Sequence, residues 1–127
     1  MYSKNKASAT FTEEEAEYLL NSRLGRLATA SASGQAHVVP VVYEFDGHYL
    51  YFGGWGLEKS LKFRNILKQS RVAFVVDDVE TVEPWKPRGI EVRGLAEVVR
   101  EKGKVYVRIT PVHKVSWGLK RRKNGTD

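Results

Sequence analysis

With 127 residues, of which 42% are hydrophobic and 28% charged, the chain has the size and composition of one globular domain. It contains no cysteine, which excludes disulfide bonds and thiolate metal sites, and it shows neither an apolar run of membrane-spanning length nor a signal peptide, so we expect a cytoplasmic protein that does not enter the membrane. The 21 basic and 15 acidic side chains give a net charge of +6, which points to nucleic acid, an anionic membrane surface or an anionic cofactor as the partner.

The first residues, 1–10, are expected to form a flexible lead. Thr12 then predicts the start of a helix, because a threonine followed three residues later by Glu15 is the pattern of a capping box. The folded domain is predicted to extend over residues 11–119. Residues 120–127, which begin with four consecutive basic side chains, are expected to form a basic C-terminal tail.

After this helix the sequence changes to short stretches of alternating or β-branched residues, which are typical of strands. Asp46 and Gly47 predict a tight hairpin turn. Because Pro40 cannot donate to a ladder, its strand is expected at a sheet edge, bulged or open to a ligand. Gly94 is expected at a bulge, and Pro111 is expected to end a strand. The predicted strands are 25–31, 37–45, 48–53, 72–76, 89–100 and 105–109, with a loop over 79–88 and a further short strand at 115–117.

The most distinctive stretch is a glycine-rich turn that leads into a basic helix, predicted over residues 58–69. Gly53 and Gly54 let a ligand approach the backbone, and the free amides at the start of a helix favour an anion. Lys59 and Lys62 add full charges, so a phosphorylated ligand is expected here. The spacing is not that of a Walker A loop, which argues against a nucleotide triphosphatase. The buried side of the helix is predicted to comprise Leu57, Leu61, Leu67 and either Phe63 or Ile66.

About six antiparallel strands, with one helix before them and one between the third and fourth, predict a mainly β protein with a closed or split barrel. This order of elements resembles the flavin split barrel of the pyridoxamine phosphate oxidase-like superfamily. The segments similar to that superfamily are GRLAT at 25–29, HVVPV at 37–41 and KFRN at 62–65. Those similar to its branch that depends on the deazaflavin coenzyme F420 are VDD at 76–78, PWKPRGIE at 84–91, RG at 93–94, RITP at 108–111 and SWG at 116–118.

The resemblance implies a six-stranded split-barrel homodimer with two cofactors at the subunit interface, each of them F420 or FMN, with F420 favoured. It places the cofactor phosphate at the start of the basic helix, and the residues in this role are Lys59, Ser60 and Lys62, with Asn65 in support. Backbone groups of one strand would position the ring, namely those of Val39, Pro40, Val41 and Val42. Relatives that bind flavin carry an arginine in this strand where the chain has valines. The other candidate cofactor-binding residues are Gly53, Gly54, Trp55 and Trp117, the last of which in relatives often arrives from the other subunit.

Each of these residues also has a simpler explanation. The two lysines suit the solvated face of an amphipathic helix, and the two glycines suit a bulge that ends a strand. Tryptophans are most often found in cores or interfaces, and Trp85, between two prolines, is expected to make a dimer contact or to cover the ring. The histidines, at 37, 48 and 113, lack metal-ligand spacing, so no metal site is expected.

These observations predict an oxidoreductase that transfers hydride between F420 or FMN and a small organic substrate. The cofactor would carry the chemistry, because no acid, base or nucleophile stands out in the sequence. Two alternatives remain, namely a cofactor carrier or sensor without turnover and a basic barrel that stacks single-stranded nucleic acid. The strongest basic run lies in the tail and the strands carry few paired arginines and aromatics, which argues against nucleic acid.

Overall fold

A single antiparallel sheet curls into a half-barrel in the computed structural model, which describes residues 8–120. Residues 1–7 of the expected lead and 121–127 of the expected tail lie outside the described residues. The elements are α1 (Glu13–Asn21), β1 (Leu24–Ala30), β2 (Ala36–Val42), β3 (Glu44–Phe45), β4 (Leu50–Phe52), a 3₁₀ turn (Leu57–Lys59), α2 (Leu61–Lys68), β5 (Arg71–Thr81), β6 (Lys86–Glu101) and β7 (Lys104–Trp117). The strands lie in the order β2-β1-β5-β6-β7-β4-β3. The predicted split barrel is confirmed, with seven strands in the described part of the chain instead of six.

The first helix begins at the predicted capping box and is tied to the sheet by a buried carboxylate. The Thr12 N–H donates to Glu15 Oε1 at 2.9 Å, and the Glu15 N–H donates to Thr12 Oγ1 at 3.2 Å. The Glu15 side chain is buried and also accepts from Lys114 Nζ and Ser116 Oγ, each at 2.6 Å. One glutamate therefore both caps α1 and fastens it to β7.

The strand predicted over 37–45 is divided in two, because the chain turns at Tyr43 from β2 into β3. These two strands lie at opposite ends of the strand order, so the chain joins the two edges of the sheet where the barrel splits. Pro40 lies in β2, opposite Arg26 of β1, and β2 is an edge strand. The edge position expected for this proline is therefore confirmed. The turn at Asp46 and Gly47 is also confirmed, since it joins β3 to β4.

The loop predicted over 79–88 is largely strand, and this prediction is wrong. β5 and β6 continue as a hairpin beyond the core, with Asp78 opposite Arg88 and Thr81 opposite Lys86. Two charge-assisted hydrogen bonds hold the extension, from Arg88 Nε to Asp78 Oδ1 at 2.7 Å and from Arg88 Nη2 to Asp78 Oδ2 at 3.0 Å. The polar residues on both sides of the turn are cross-strand partners in an exposed ribbon.

The bulge predicted at Gly94 is confirmed. Arg93 pairs with His113 and Gly94 pairs with Pro111, so β7 has one extra residue at this point. A Cβ on Gly94 would lie 2.2 Å from the Thr110 carbonyl oxygen, which leaves room only for glycine. The prediction that Pro111 ends a strand is wrong, because at the bulge a missing N–H does not interrupt the ladder and β7 continues to Trp117.

The core lies between the inner face of the sheet and the two helices. In the second helical segment Leu57, Phe63 and Ile66 are buried. Leu61 and Leu67 are 43% and 61% exposed, so their predicted burial is wrong, because Phe63 and Ile66, three residues apart, place a different face of α2 against the sheet. Neither described helix is long and apolar enough to cross a membrane.

Candidate cofactor site

The start of α2 is capped by its own chain, which changes what Ser60 can offer a ligand. Ser60 Oγ accepts from the Phe63 N–H at 3.3 Å and donates its proton to the Leu57 carbonyl oxygen at 2.6 Å. The amides of Leu61 and Lys62 have no acceptor within the helix. Phosphate binding by the Ser60 side chain stays a prediction, and the following two amides are the better-placed hydrogen-bond donors.

Four cations are clustered on and beside α2. Lys59, Lys62, Arg64 and Lys68 form no ion pair within residues 8–120. Even the neighbouring acid, Glu58, is paired elsewhere, with the guanidinium of Arg100 at 3.1 Å. The cations with carboxylate partners are Arg26, Arg88, Arg93, Arg100, Arg108 and Lys114. The α2 surface therefore holds uncompensated positive charge beside free backbone amides, which is an arrangement suited to a phosphate.

An open cleft of about 700 Å³ lies where the end of β2 meets the ends of β4 and β7. We call it the tyrosine cleft, and its lining residues are Val42, Tyr43, Glu44, Tyr51, Phe52, Gly53, Gly54, Lys104, Val105 and Tyr106. Three of the predicted site residues, Val42, Gly53 and Gly54, are thus brought together in space. The remaining predicted residues do not line this cleft.

The two glycines of the cleft are present for different reasons. Gly54 has φ +107°, a conformation that side chains rarely adopt, so the turn itself requires glycine there. Gly53 has no such conformation, and a Cβ added to it would lie at an ordinary 3.5 Å from the Cβ of Tyr106. Within the described protomer neither backbone nor packing requires glycine at 53, which fits a position that a ligand approaches closely.

The four β2 residues expected to carry the ring alternate between the two faces of an edge strand. Val39 is half-buried and Val41 buried on the inner side, whereas Pro40 and Val42 are exposed on the outer side. β2 pairs with β1 on one side only, so backbone groups on its other side face no strand of the same protomer. Such groups are available to a ligand, although Pro40 contributes no N–H.

Asn65 and the two candidate tryptophans lie apart from one another. Asn65 is 5% exposed, and its Nδ2 donates to Thr29 Oγ1 at 3.0 Å, which anchors α2 to β1. Trp55 is fully exposed at the glycine-rich turn. Trp117 lies at the end of β7, where its ring covers Gly89, and three strands separate β7 from β2. One protomer therefore does not bring Trp117 to the β2 strand.

Two tyrosines of the cleft were missed by the sequence analysis. The Tyr51 hydroxyl donates to Asp46 Oδ2 at 2.7 Å, and the Tyr106 hydroxyl donates to Glu101 Oε2 at 3.1 Å. Burial and these carboxylates raise the pKa of both phenols, so both stay neutral and protonated. Their rings meet edge to face, with centroids 6.0 Å apart. Only the pairing of β4 with β7 brings them together, and no local pattern predicts it.

The outer face of the sheet, away from the core, carries exposed apolar side chains. Leu24 and Val42 are opposite one another on β1 and β2 and are 51% and 68% exposed. Val38 and Val115 on the same face are 65% and 51% exposed. An apolar sheet face of this kind is typical of a protein–protein contact.

The histidines do not gather into a metal site. Within residues 8–120, no group of three or more His, Cys, Asp or Glu side chains is arranged to hold a metal ion. His37 is opposite Thr29 in the β1–β2 pair, and its Nδ1 is buried with no hydrogen-bond partner in the described part of the chain.

Comparison with known proteins agrees with this fold. The family model described as pyridoxamine 5'-phosphate oxidase matches residues 11–117. A 5a,11a-dehydrotetracycline/5a,11a-dehydrooxytetracycline reductase of Streptomyces rimosus is 38% identical over an alignment of 119 residues, and the alignment covers 86% of this chain and 84% of that protein. A solved F420 reductase is 25% identical, with a TM-score of 0.68 over 83% of this chain and 98% of its own. The conserved hypothetical protein Rv2991 from Mycobacterium tuberculosis is 26% identical, with a TM-score of 0.70 over 97% of this chain and 98% of its own.

The likeness extends over nearly the whole of these proteins, so it concerns the complete barrel and not a shared fragment. The predicted resemblance to the split-barrel superfamily and its F420 branch is confirmed. So is the predicted activity, that of an oxidoreductase with a flavin-type cofactor. The chain belongs to the pyridoxamine 5'-phosphate oxidase family.

Proposed function

We propose that the protein is an F420-dependent reductase that transfers hydride to a small organic substrate and works as a homodimer. The observation that carries this proposal is the uncompensated positive charge of the α2 surface beside the glycine turn. The similarity to the dehydrotetracycline reductase supports reduction of a carbon–carbon double bond. The similarity to the F420 reductase supports the deazaflavin over FMN.

The cofactor phosphate binds at the start of α2. Lys59 and Lys62 supply charge, and the amides of Leu61 and Lys62 supply hydrogen bonds. No carboxylate of the described structure is paired with either lysine, so a phosphate does not have to displace an existing partner. Asn65 holds the helix in place through Thr29, which keeps these donors fixed relative to the sheet.

The residues that would hold the ring are Val39 to Val42 of β2. The free side of the edge strand offers backbone groups, and the valines offer apolar contact. When bound and reduced, the cofactor supplies the hydride, and the protein supplies position and exclusion of water. Because β2 carries no arginine, the phosphate is held by α2 alone, which makes the helix lysines more important than in relatives with that arginine.

A second copy of the chain covers the outer face of the sheet. The exposed apolar residues there suit a contact between identical sheets, and a two-fold arrangement brings Trp117 of each subunit to the other. Val115→Asp places a charge in this contact and is expected to give a monomer in light scattering coupled to size-exclusion chromatography. Leu20→Asp, at a similarly exposed residue on α1, is the matched control and leaves the dimer intact. A wild-type monomer would contradict the homodimer.

The experiment that tests the proposed function is a titration of the purified protein with F420 and, separately, with FMN. We expect F420 fluorescence to change at micromolar or lower concentrations and FMN to bind more weakly. Oxidation of reduced F420 by a dehydrotetracycline, followed by absorbance, then tests turnover and separates an enzyme from a carrier. Tighter binding of FMN would overturn the choice of F420, and binding of neither cofactor would overturn the proposed function.

A further inference from the structure

The tyrosine cleft has the size and walls of a small-molecule site. Its volume of about 700 Å³ is within the range of roughly 300–1,000 Å³ that is common for ligand pockets. Val42, Phe52 and Val105 give it apolar walls, and Tyr51 and Tyr106 give it aromatic ones. The requirement is therefore for a ligand with a flat apolar surface.

The two tyrosines act in this cleft as stacking surfaces and not as acids. Each hydroxyl is already bonded to a carboxylate, Tyr51 to Asp46 and Tyr106 to Glu101. These bonds fix the rings, so little rotamer entropy is lost when a ligand stacks on them. The Cβ of Tyr106 also lies beside Gly53, where the absent side chain keeps the cleft open.

The charges that line the cleft argue against binding of the cofactor phosphate there. It is lined by one cation, Lys104, and one anion, Glu44, and neither is in an ion pair within residues 8–120. An anionic phosphate is better served by the α2 surface, which has four unpaired cations. Lys104 can donate a hydrogen bond and Glu44 can accept one, so together they suit a neutral molecule with hydrogen-bonding groups at its edge.

The cleft also adjoins the proposed cofactor site, since Val42, Gly53 and Gly54 belong to both. We propose that it binds the planar, fused-ring part of the substrate, with Tyr51 and Tyr106 as specificity-determining residues. This inference rests on the proposed function, because it needs a cofactor on β2. The substrate class comes from the similarity to the dehydrotetracycline reductase, and it is a polycyclic ketone with a carbon–carbon double bond conjugated to the carbonyl.

Reduction of such a substrate balances without a further reactant. The β-carbon receives one hydride from the reduced cofactor, and the α-carbon receives one proton from water. The double bond becomes single, and the cofactor leaves oxidised by two electrons. The tyrosines hold the ring system so that the β-carbon faces the cofactor, and they take no part in the proton transfer.

The test is equilibrium binding of anhydrotetracycline, a fluorescent four-ring phenolic ketone, to the cofactor-free protein. Tyr106→Ala removes one stacking face and is expected to weaken probe binding about tenfold. Tyr106→Phe keeps the face and loses only the bond to Glu101, so probe binding changes less than about twofold. Leu20→Ala removes an exposed apolar side chain of α1 that does not line the cleft and is the control. The affinity of each variant for F420 is measured in parallel.

Weakened probe binding in Tyr106→Ala, with unchanged F420 affinity, supports the inference. Equal loss of F420 affinity overturns it, because the cleft would then hold the cofactor. Probe binding that Tyr106→Ala leaves unchanged, or no probe binding to the wild type, also overturns it. If the wild type fails to bind F420, the proposed function has failed, and this outcome is distinct from a failure confined to the probe.

Discussion

Two helix-associated charge clusters in this protein have opposite arrangements. At the contact of α1 with β7, the Glu15 carboxylate is buried and accepts hydrogen bonds from Thr12, Lys114 and Ser116. At the start of α2, cations remain without a carboxylate partner in the described structure. The charge of the first cluster is thus balanced by partners in the described structure, and the positive charge of the second is not.

This difference distinguishes charged side chains that stabilise the fold from charged side chains that we propose to bind an anionic ligand. A satisfied buried carboxylate contributes to stability, and its removal leaves a lysine without its partner. An exposed, unpaired lysine contributes little to stability. Its removal lowers the affinity for the anion and leaves the free energy of unfolding nearly unchanged. The comparison therefore predicts that substitutions in the two clusters affect different measurements.

The largest expected effect is on stability, from Glu15→Ala. The substitution breaks the capping box and leaves Lys114 without its partner, so it should lower the free energy of unfolding by about 3 kcal/mol, at the lower end for a buried pair because Lys114 is partly exposed. Chemical denaturation measures this loss. Glu13→Ala, at an exposed acid in the same turn, is the matched control and should change stability by less than about 0.5 kcal/mol.

Asn65→Ala should have a smaller effect, which appears both in the free energy of unfolding and in the affinity for F420. The loss of the bond to Thr29 leaves a buried hydroxyl without its donor and costs about 1–2 kcal/mol of stability. Because α2 then loses its anchor, F420 affinity should also fall. A double-mutant cycle with Thr29→Val isolates the coupling, and a coupling energy near zero would show that the bond does not hold the helix.

Acid should weaken the first cluster. Burial alone would raise the pKa of Glu15, but hydrogen bonds from Lys114, Ser116 and Thr12 outweigh it and lower that pKa below its ordinary 4.5. A carboxyl with a lowered pKa in the folded state stabilises the fold above its ordinary value and loses this contribution as the pH falls through the folded value. Unfolding free energy should therefore decrease below about pH 4.5, and in Glu15→Gln this decrease should be shallower.

The smallest expected effect is that of the basic tail. Deletion of residues 120–127 removes four cations, yet F420 affinity should change less than about twofold, because the proposed phosphate site lies at α2. Isothermal titration of the truncated protein measures this. A large loss of affinity would transfer the anion site from the helix to the tail.

Local chemistry explains why much of the fold could be predicted from the sequence. The capping box at Thr12, the hairpin turn at Asp46 and the bulge at Gly94 are each set by neighbouring residues or by a single glycine. The predictions that were wrong concern segments whose structure depends on residues distant in sequence. Arg88 stabilises strand in the 79–88 ribbon through Asp78, and the sheet selects which face of α2 is buried.

The candidate site likewise has one part that local sequence predicts and another that depends on residues distant in sequence. The turn and helix at 53–62 are adjacent in sequence, so an anion site could be predicted there from residue types alone, and it stays a prediction. Tyr51 and Tyr106 come together only through the pairing of β4 with β7, which no local pattern shows. Trp117 is separated from β2 by three strands of the described protomer, so its predicted place at the ring requires the proposed second subunit.

The most direct test of the account compares Lys62→Ala with Lys68→Ala, two substitutions of the same kind about 9 Å apart along one helix. Each protein is titrated with F420, and its unfolding free energy is measured. We expect Lys62→Ala to lose about 1.5–3 kcal/mol of binding, Lys68→Ala to lose much less, and both to keep wild-type stability. Equal losses of binding, or no loss in Lys62→Ala, would contradict a phosphate held at the start of α2.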